Sequence, residues 1–262
     1  KVSPAGAVTT FGDVGGGTFT TMDYSFDRLA IVSGGKLYYL QGTTLSQVTD
    51  PDLGTVLDVL WVDGYFMTTD GTSLVVTELT DPTSVNPLKY GSSEADPDPI
   101  SSLLKLRNEV YALNRYSIEV FQNVGGSGFP FQRIEGALVP RGCVGTQACE
   151  LFAETIAFMG SARKEAISIY LLAPGTSVKI ATREIDQILD SYTEEELSET
   201  VMESKVDKAH HHLLVHLKDQ TLVYDFAASQ TLQEPVWFTL DSGIGSPETY
   251  RARGLVRCYG RY

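Results

Sequence analysis

Residues 57–79 read LDVLWVDGYFMTTDGTSLVVTEL. Three short runs rich in Leu, Val, Trp, Tyr and Phe are separated by Asp63-Gly64 and Asp70-Gly71. Such residues suit a pleated, half-buried surface, and Asp-Gly adopts the positive φ that a tight hairpin turn demands. The stretch therefore predicts three antiparallel strands in succession. The same unit recurs along the chain. RLAIVSGGKLYYLQGTTLSQV (28–48) turns at Gly34-Gly35, and SLLKLRNEVYALNRYSIEVFQNV (102–124) turns at Arg107-Asn108 and Asn114-Arg115. CELFAETIAFMGSARKEAISIYLL (149–172) and HHHLLVHLKDQTLVYDFAA (210–228), the latter turning at Lys218-Asp219, complete five copies. A sixth is expected to start in YRARGLVRCYGRY (250–262), and GTFTTMDYS (17–25) is expected to supply an outer or closing strand.

Antiparallel units of this kind with polar linkers predict a mainly all-β chain. The expected architecture is a β-propeller of about five to six blades, each sheet one blade around a channel. A two-sheet sandwich accounts for the strand content but less well for the repeated unit. The whole of 1–262 reads as a single domain. Its opening, KVSPAGAV, lacks an initiator Met and its end stops within a strand-like run, so it is expected to be a fragment of a longer protein with blade closure left open. Residues 80–100 hold Pro82, Pro87, Pro97 and Pro99, and proline resists central strands, which predicts an extended surface loop. A second long loop is expected over 123–142, rich in Gly and Pro. Residues 182–204 form the helical insert: Ile185, Ile188 and Leu189 share one face, Leu197 and Val201 another, and Thr193 with Glu196 makes a capping box.

Charge and cysteine usage narrow the function. The net charge is −13, with no run of Lys or Arg, so a sequence-specific grip on DNA is not expected. An acidic surface suits a wall past which DNA slides, but the plainer reading, that the charge serves solubility, is favoured. Cys143, Cys149 and Cys258 form neither a disulfide framework nor a C-x-x-C zinc pair, and reduced thiols, as in a protein made in a cytoplasm, are expected. No apolar run reaches the ~20 residues of a membrane helix, and from the opening KVSPAGAV no signal peptide is expected.

The sharpest cluster of chemistry-bearing residues is the four histidines within 210–216. On a strand His210, His212 and His216 point to one face, where imidazoles at i and i+2 can share a zinc ion. Against this stands a strand whose histidines are simply half-exposed or hydrogen-bonded, favoured because no Cys or carboxylate cluster adjoins them in sequence. Asp96, Asp98 and Glu94 offer oxygens to calcium, but Pro97 and Pro99 interrupt them and EF-hand spacing is missing, which favours a solvated acidic loop. The chain has no G-x-S-x-G elbow, Walker loop or dinucleotide fingerprint, and no sialidase-type S-x-D-x-G-x-x-W box. Trp61 and Trp237 read as blade core. The expectation is no catalysis, no cofactor and no resident metal.

Several phrases in fixed order carry a resemblance: TTDGTSLVVTELTDP (68–82), YGSSEADPDPI (90–100), SIEVFQNVGG (117–126), SYTEEELSETVMES (191–204), AHHHLLVHLKDQTLVYD (209–225) and YRARGLVRCYG (250–260). The chain resembles the packaged-DNA stabilisation proteins, or tail hubs, of short-tailed phages of the Salmonella podovirus type. That resemblance implies a virion structural protein, added after packaging as a homo-hexameric ring below the portal and its adaptor. It would support the tail needle and tailspikes and retain DNA that passes through without sequence-specific binding. No membrane partner is implied. The helical insert 182–204 (Glu194, Glu195, Leu197, Glu199), the loop 80–100 with Asp96 and Asp98, and the loop 123–142 are the expected contact surfaces. The alternatives are a carbohydrate-binding or glycan-hydrolysing propeller and a bacterial scaffold protein.

Overall fold

The computed structural model describes residues 1–16, 19–93, 95–243 and 248–259. Among the described residues, twenty-one strands assemble into five antiparallel sheets, each built from consecutive strands. The first sheet holds β1 (Thr20–Tyr24), β2 (Leu29–Ser33), β3 (Lys36–Gln41) and β4 (Thr44–Gln47) in that order. The second holds β5 (Asp58–Val62), β6 (Tyr65–Thr69), β7 (Ser73–Thr77) and β8 (Val85–Ser92). The third holds β9 (Ile100–Leu106), β10 (Glu109–Asn114), β11 (Ile118–Asn123) and β12 (Phe131–Arg133). In the fourth, β13 (Gly142–Cys143) and β14 (Cys149–Phe152) both pair with β15 (Thr155–Ser161), followed by β16 (Ser168–Ala173) and β17 (Thr176–Lys179). Two short helices, α1 (Arg183–Leu189) and α2 (Glu194–Ser198), precede the last sheet. That sheet comprises β18 (Val201–Asp207), β19 (His210–His216), β20 (Thr221–Asp225) and β21 (Trp237–Leu240), with α3 (Phe226–Leu232) between the last two strands.

The chain divides into two compact units. Residues 1–112 and 119–135 form the first, and residues 113–118 and 136–262 the second. In the first unit the opening strand β5 neighbours both β1 and β9, and in the second β14 neighbours β18. Meandering sheets whose first strands adjoin are the blades of a propeller.

Blade-on-blade packing explains why the middle strands lose the polar alternation of a one-sided sheet. Four of the five residues of β6 and all five of β20 are buried, because each face meets apolar side chains. In the first unit Ala30, Val32, Leu37 and Tyr39 pack with Val59, Phe66 and Val85. Leu60, Met67 and Leu74 pack with Ile100, Leu103, Val110 and Phe121. The outermost strands β4 and β17 stay largely exposed.

Polar seams tie neighbouring first strands together. Asp23 of β1 accepts a 2.6 Å hydrogen bond from the Trp61 amide of β5. Asp58 of β5, itself buried, accepts from the Ser102 hydroxyl at 2.9 Å and the Leu103 amide at 2.8 Å, both on β9. Burial pushes the Asp58 carboxyl up to about 6, even though these donors favour its charge. Within the fourth sheet the close approach is steric: a Cβ on Gly160 of β15 would lie 1.7 Å from the Gly142 carbonyl oxygen of β13, its paired neighbour.

Several expectations require correction. Residues 80–100 are not all loop, since β8 lies within them and pairs with β7. Pro87 is tolerated there because β8 is an edge strand, whose outward amide needs no partner. Likewise β12 occupies part of 123–142. The helical insert is shorter than 182–204: Val201 begins β18 and pairs with His216, because strand pairing there outweighs the helical face drawn through Leu197 and Val201. No strand forms among the described residues of 250–262, so the described residues hold five sheets and the expected sixth unit is not among them. The segment 17–25 supplies β1, the first strand of its sheet, with Gly17 and Thr18 outside the described residues.

Two substitutions test these contacts. Asp58→Ala leaves two buried donors without their acceptor and is expected to cost about 2–3 kcal/mol in urea unfolding. Gly160→Ala is expected to cost about 1–3 kcal/mol by overpacking, with the secondary structure retained by circular dichroism.

Candidate functional site

Three polar regions were candidates from the sequence, and the fold treats them differently. The helical insert is pinned inside the second unit. Thr193 caps α2, accepting from the Glu196 amide while Glu196 accepts from the Thr193 amide, so the capping box is formed. Glu194 pairs at 2.8 Å with Arg115, in the β10–β11 turn, and Glu196 pairs at 2.7 Å with Lys218, in the β19–β20 turn. Tyr192 donates to Asp219 and accepts from Gln220. Leu197 is buried and so, contrary to expectation, offers nothing to a partner: it is the apolar anchor of α2. Glu195 and Glu199 are exposed.

The acidic loop is also held. Glu119 of β11, whose side chain is fully buried, accepts from the Ser93 hydroxyl at 2.8 Å and the Ala95 amide at 2.9 Å and pairs with Arg133 at 3.2 Å. Asp96 and Asp98 are half-buried beyond this anchor, and Glu94 lies outside the described residues.

The histidines separate. His216 is fully buried and lies between Glu203 (2.8 Å) and Thr221 (3.0 Å), with Tyr250 stacked on its ring. It therefore does not join His210 and His212, because the three residues of strand between His212 and His216 carry it into the core. His211 faces the other way, against Phe152 and the Ser204 hydroxyl, and burial followed by the nearby His212 lowers its pKa. His210 and His212 converge on Asp225, at 2.6 Å and 3.4 Å from its Oδ2. Sequence reasoning missed Asp225, which lies remote from the histidine run. The hairpin register was the signal that could have found it: with His216 opposite Thr221, His212 must fall opposite Asp225. Burial opposes the Asp225 charge, but the Ala228 amide and His210 outweigh it and hold the carboxyl below its ordinary range.

A further carboxylate pair escaped the sequence reading. Glu150 of β14 is pushed up to about 7 by burial and then by the charge of Glu203 on β18. Burial alone would raise Glu203 too, but His216 and the Leu255 amide, 2.6 Å away, hold it below the ordinary value. The two acids therefore differ in charge near neutrality: Glu203 is ionised while Glu150 is partly protonated.

Trp61 and Trp237 are half-buried. Trp61 carries the Phe26 edge at 5.1 Å and the Lys105 ammonium over its ring. The Trp237 indole N–H donates to the Ile180 carbonyl at 2.8 Å. A cavity of about 280 Å³ beside α1 combines Trp237 and Phe238 with one carboxylate, Glu184. Glycoside hydrolysis by the usual mechanisms needs two. No helix among the described residues is long and apolar enough to cross a membrane.

Blade sheets of consecutive strands, joined at first strands by the carboxylates of Asp23 and Asp58, define a β-propeller. The extracellular domain of a one component system from B. thetaiotaomicron shares this fold, with a TM-score of 0.50 and 8% identity over 80% of this chain and 26% of that one. The family itself is shown by sequence: the chain belongs to the family described as Bacteriophage P22 Gp10, beta-propeller, whose model matches residues 1–262. It is 31% identical over 251 residues to the tail hub protein gp10 of Salmonella phage P22, covering 89% of this chain. The chain spans about half, 52%, of that relative's length.

The Glu150 geometry predicts a pH effect on stability. A carboxyl whose folded pKa is raised stabilises fully below its unfolded value, near 4.5, and that contribution is lost as pH rises through about 7. Melting temperature is expected to fall between these limits, and Glu150→Gln is expected to flatten this part of the profile and to melt higher than the parent at pH 8.

Proposed function

We propose that this chain is the β-propeller portion of a phage tail hub, a virion structural component that works through its surfaces and catalyses no reaction. The observation that carries the reading is the family match along the whole chain, together with 31% identity to a tail hub protein. In this reading the hub forms a homo-hexameric ring in the virion tail, docks on the portal and its adaptor, and supports the needle and tailspikes. DNA passes its wall without base-specific contact, which agrees with a net charge of −13. Lacking a second carboxylate beside Trp237, the glycan-directed alternative is not favoured.

Within the hub, the exposed acids of the helical insert, Glu195 and Glu199, and the loop carrying Asp96 and Asp98 are the proposed contact surfaces. They are supported by rigidity: α2 is pinned by Arg115 and Lys218, and the loop by Glu119, so neither needs ordering when a partner binds.

Virions assembled without the full-length protein are expected to package DNA and then leak it, with rescue on adding the protein back. Full retention with intact tails would remove the reading. Glu195→Lys/Glu199→Lys is expected to weaken hub assembly at least about tenfold, a change of about 1.4 kcal/mol, without lowering the melting temperature. Unchanged assembly would remove the helical insert from the interface.

A further inference from the structure

We propose that His210, His212 and Asp225 form a binding site for a zinc-class divalent ion. Two strands and a helix start build it. His212 and Asp225 are direct cross-strand partners in the β19–β20 ladder, so their side chains rise from the same face. His210, two residues earlier on β19, rises from that face as well. One ligand atom from each of the three residues lies within 4.8 Å of the others. The imidazoles stack at 5.6 Å with 19° between their planes, both directed at a single carboxylate oxygen.

That carboxylate is aimed. Asp225 caps α3, and its Oδ1 accepts the Ala228 amide at 3.0 Å, which leaves Oδ2 turned to the histidines. Metal ligands are commonly oriented by such a second hydrogen bond. Phe238 stands edge-on to the His212 ring and restricts its rotation. Across β18 the partners are Asp207 opposite His210 and Lys205 opposite His212, so one acid and one base flank the site. The negative charge aimed at its centre is therefore that of Asp225.

The spacing suits a small tetrahedral ion. Bonds of about 2.0–2.1 Å at tetrahedral angles put neighbouring ligand atoms about 3.3 Å apart. His212 Nε2 already lies 3.4 Å from Oδ2. His210 Nδ1, at 2.6 Å, is at hydrogen-bond distance and must open by less than about 1 Å. Its side chain is 51% exposed, so this movement disturbs no packing, whereas Asp225 is 8% exposed and stays put. Imidazole nitrogen with one carboxylate favours zinc over the all-oxygen ions calcium and magnesium. Three protein ligands leave one position open to water on the exposed His210 side.

Calorimetric titration of the chain with zinc chloride tests this. One ion per chain is expected to bind at micromolar concentration. His210→Ala/His212→Ala is expected to weaken binding at least about 100-fold, since losing an outer hydrogen-bond partner alone costs about 10–100-fold. Both substituted residues lie outside the core, and a melting curve checks the variant's fold. NMR of the imidazole signals in the unchanged protein provides a second test. Zinc is expected to shift His210 and His212 and leave His211 and His216 in place. Absence of heat, equal binding by the variant, or shifts confined to His211 and His216 would overturn the site.

Discussion

The seams between neighbouring first strands are the constraint on which the rest of the fold depends. A four-stranded meander buries little by itself, and its middle strands are apolar on both faces, so each sheet needs neighbours on either side. Asp23 reaches the Trp61 amide, and Asp58 reaches Ser102 and Leu103, so that backbone donors on one first strand are satisfied by carboxylates on the one before it. These bonds lock the registry with which apolar faces meet. A buried charge is costly, and the raised pKa of Asp58 reflects that cost, but removing its donors or its acceptor costs more than keeping the set.

The second unit is held by a different combination of contacts. Glycines at 142, 145 and 160 let backbones approach more closely than any side chain permits. Ion pairs then fasten the helical insert over two hairpin turns. The insert is a rigid outgrowth whose acids divide between internal pairing, at Glu194 and Glu196, and exposure, at Glu195 and Glu199. Surfaces held in this way suit binding, because an interface that must first be ordered gives up part of its binding energy to ordering.

The turns and strand runs were legible because their signals are local. Gly34-Gly35 and Asp63-Gly64 adopt positive φ as their residue types require. The turn at Ala153-Glu154 also has positive φ at both residues, yet nothing in its composition announces it. There the pairing of β14 with β15 imposes the geometry. β8 was obscured by proline, whose tolerance depends on being at an edge, and edge position is a property of the sheet. α3 was obscured because Asp225-Phe226-Ala227 reads equally well as the end of a strand.

The sequence by itself determined the repeated hairpin unit, the all-β class, the capped start of α2 and the family, since each rests on residues close in the chain or on phrases in order. Only the tertiary structure decided which candidates for chemistry and contact meet. It buried Leu197 and His216, separated His216 from the other histidines, and brought Asp225 to His210 and His212. Strand alternation sets which face a side chain takes, but depth in the sheet and the cross-strand partner depend on pairing between distant residues, and those are fixed when the sheets assemble.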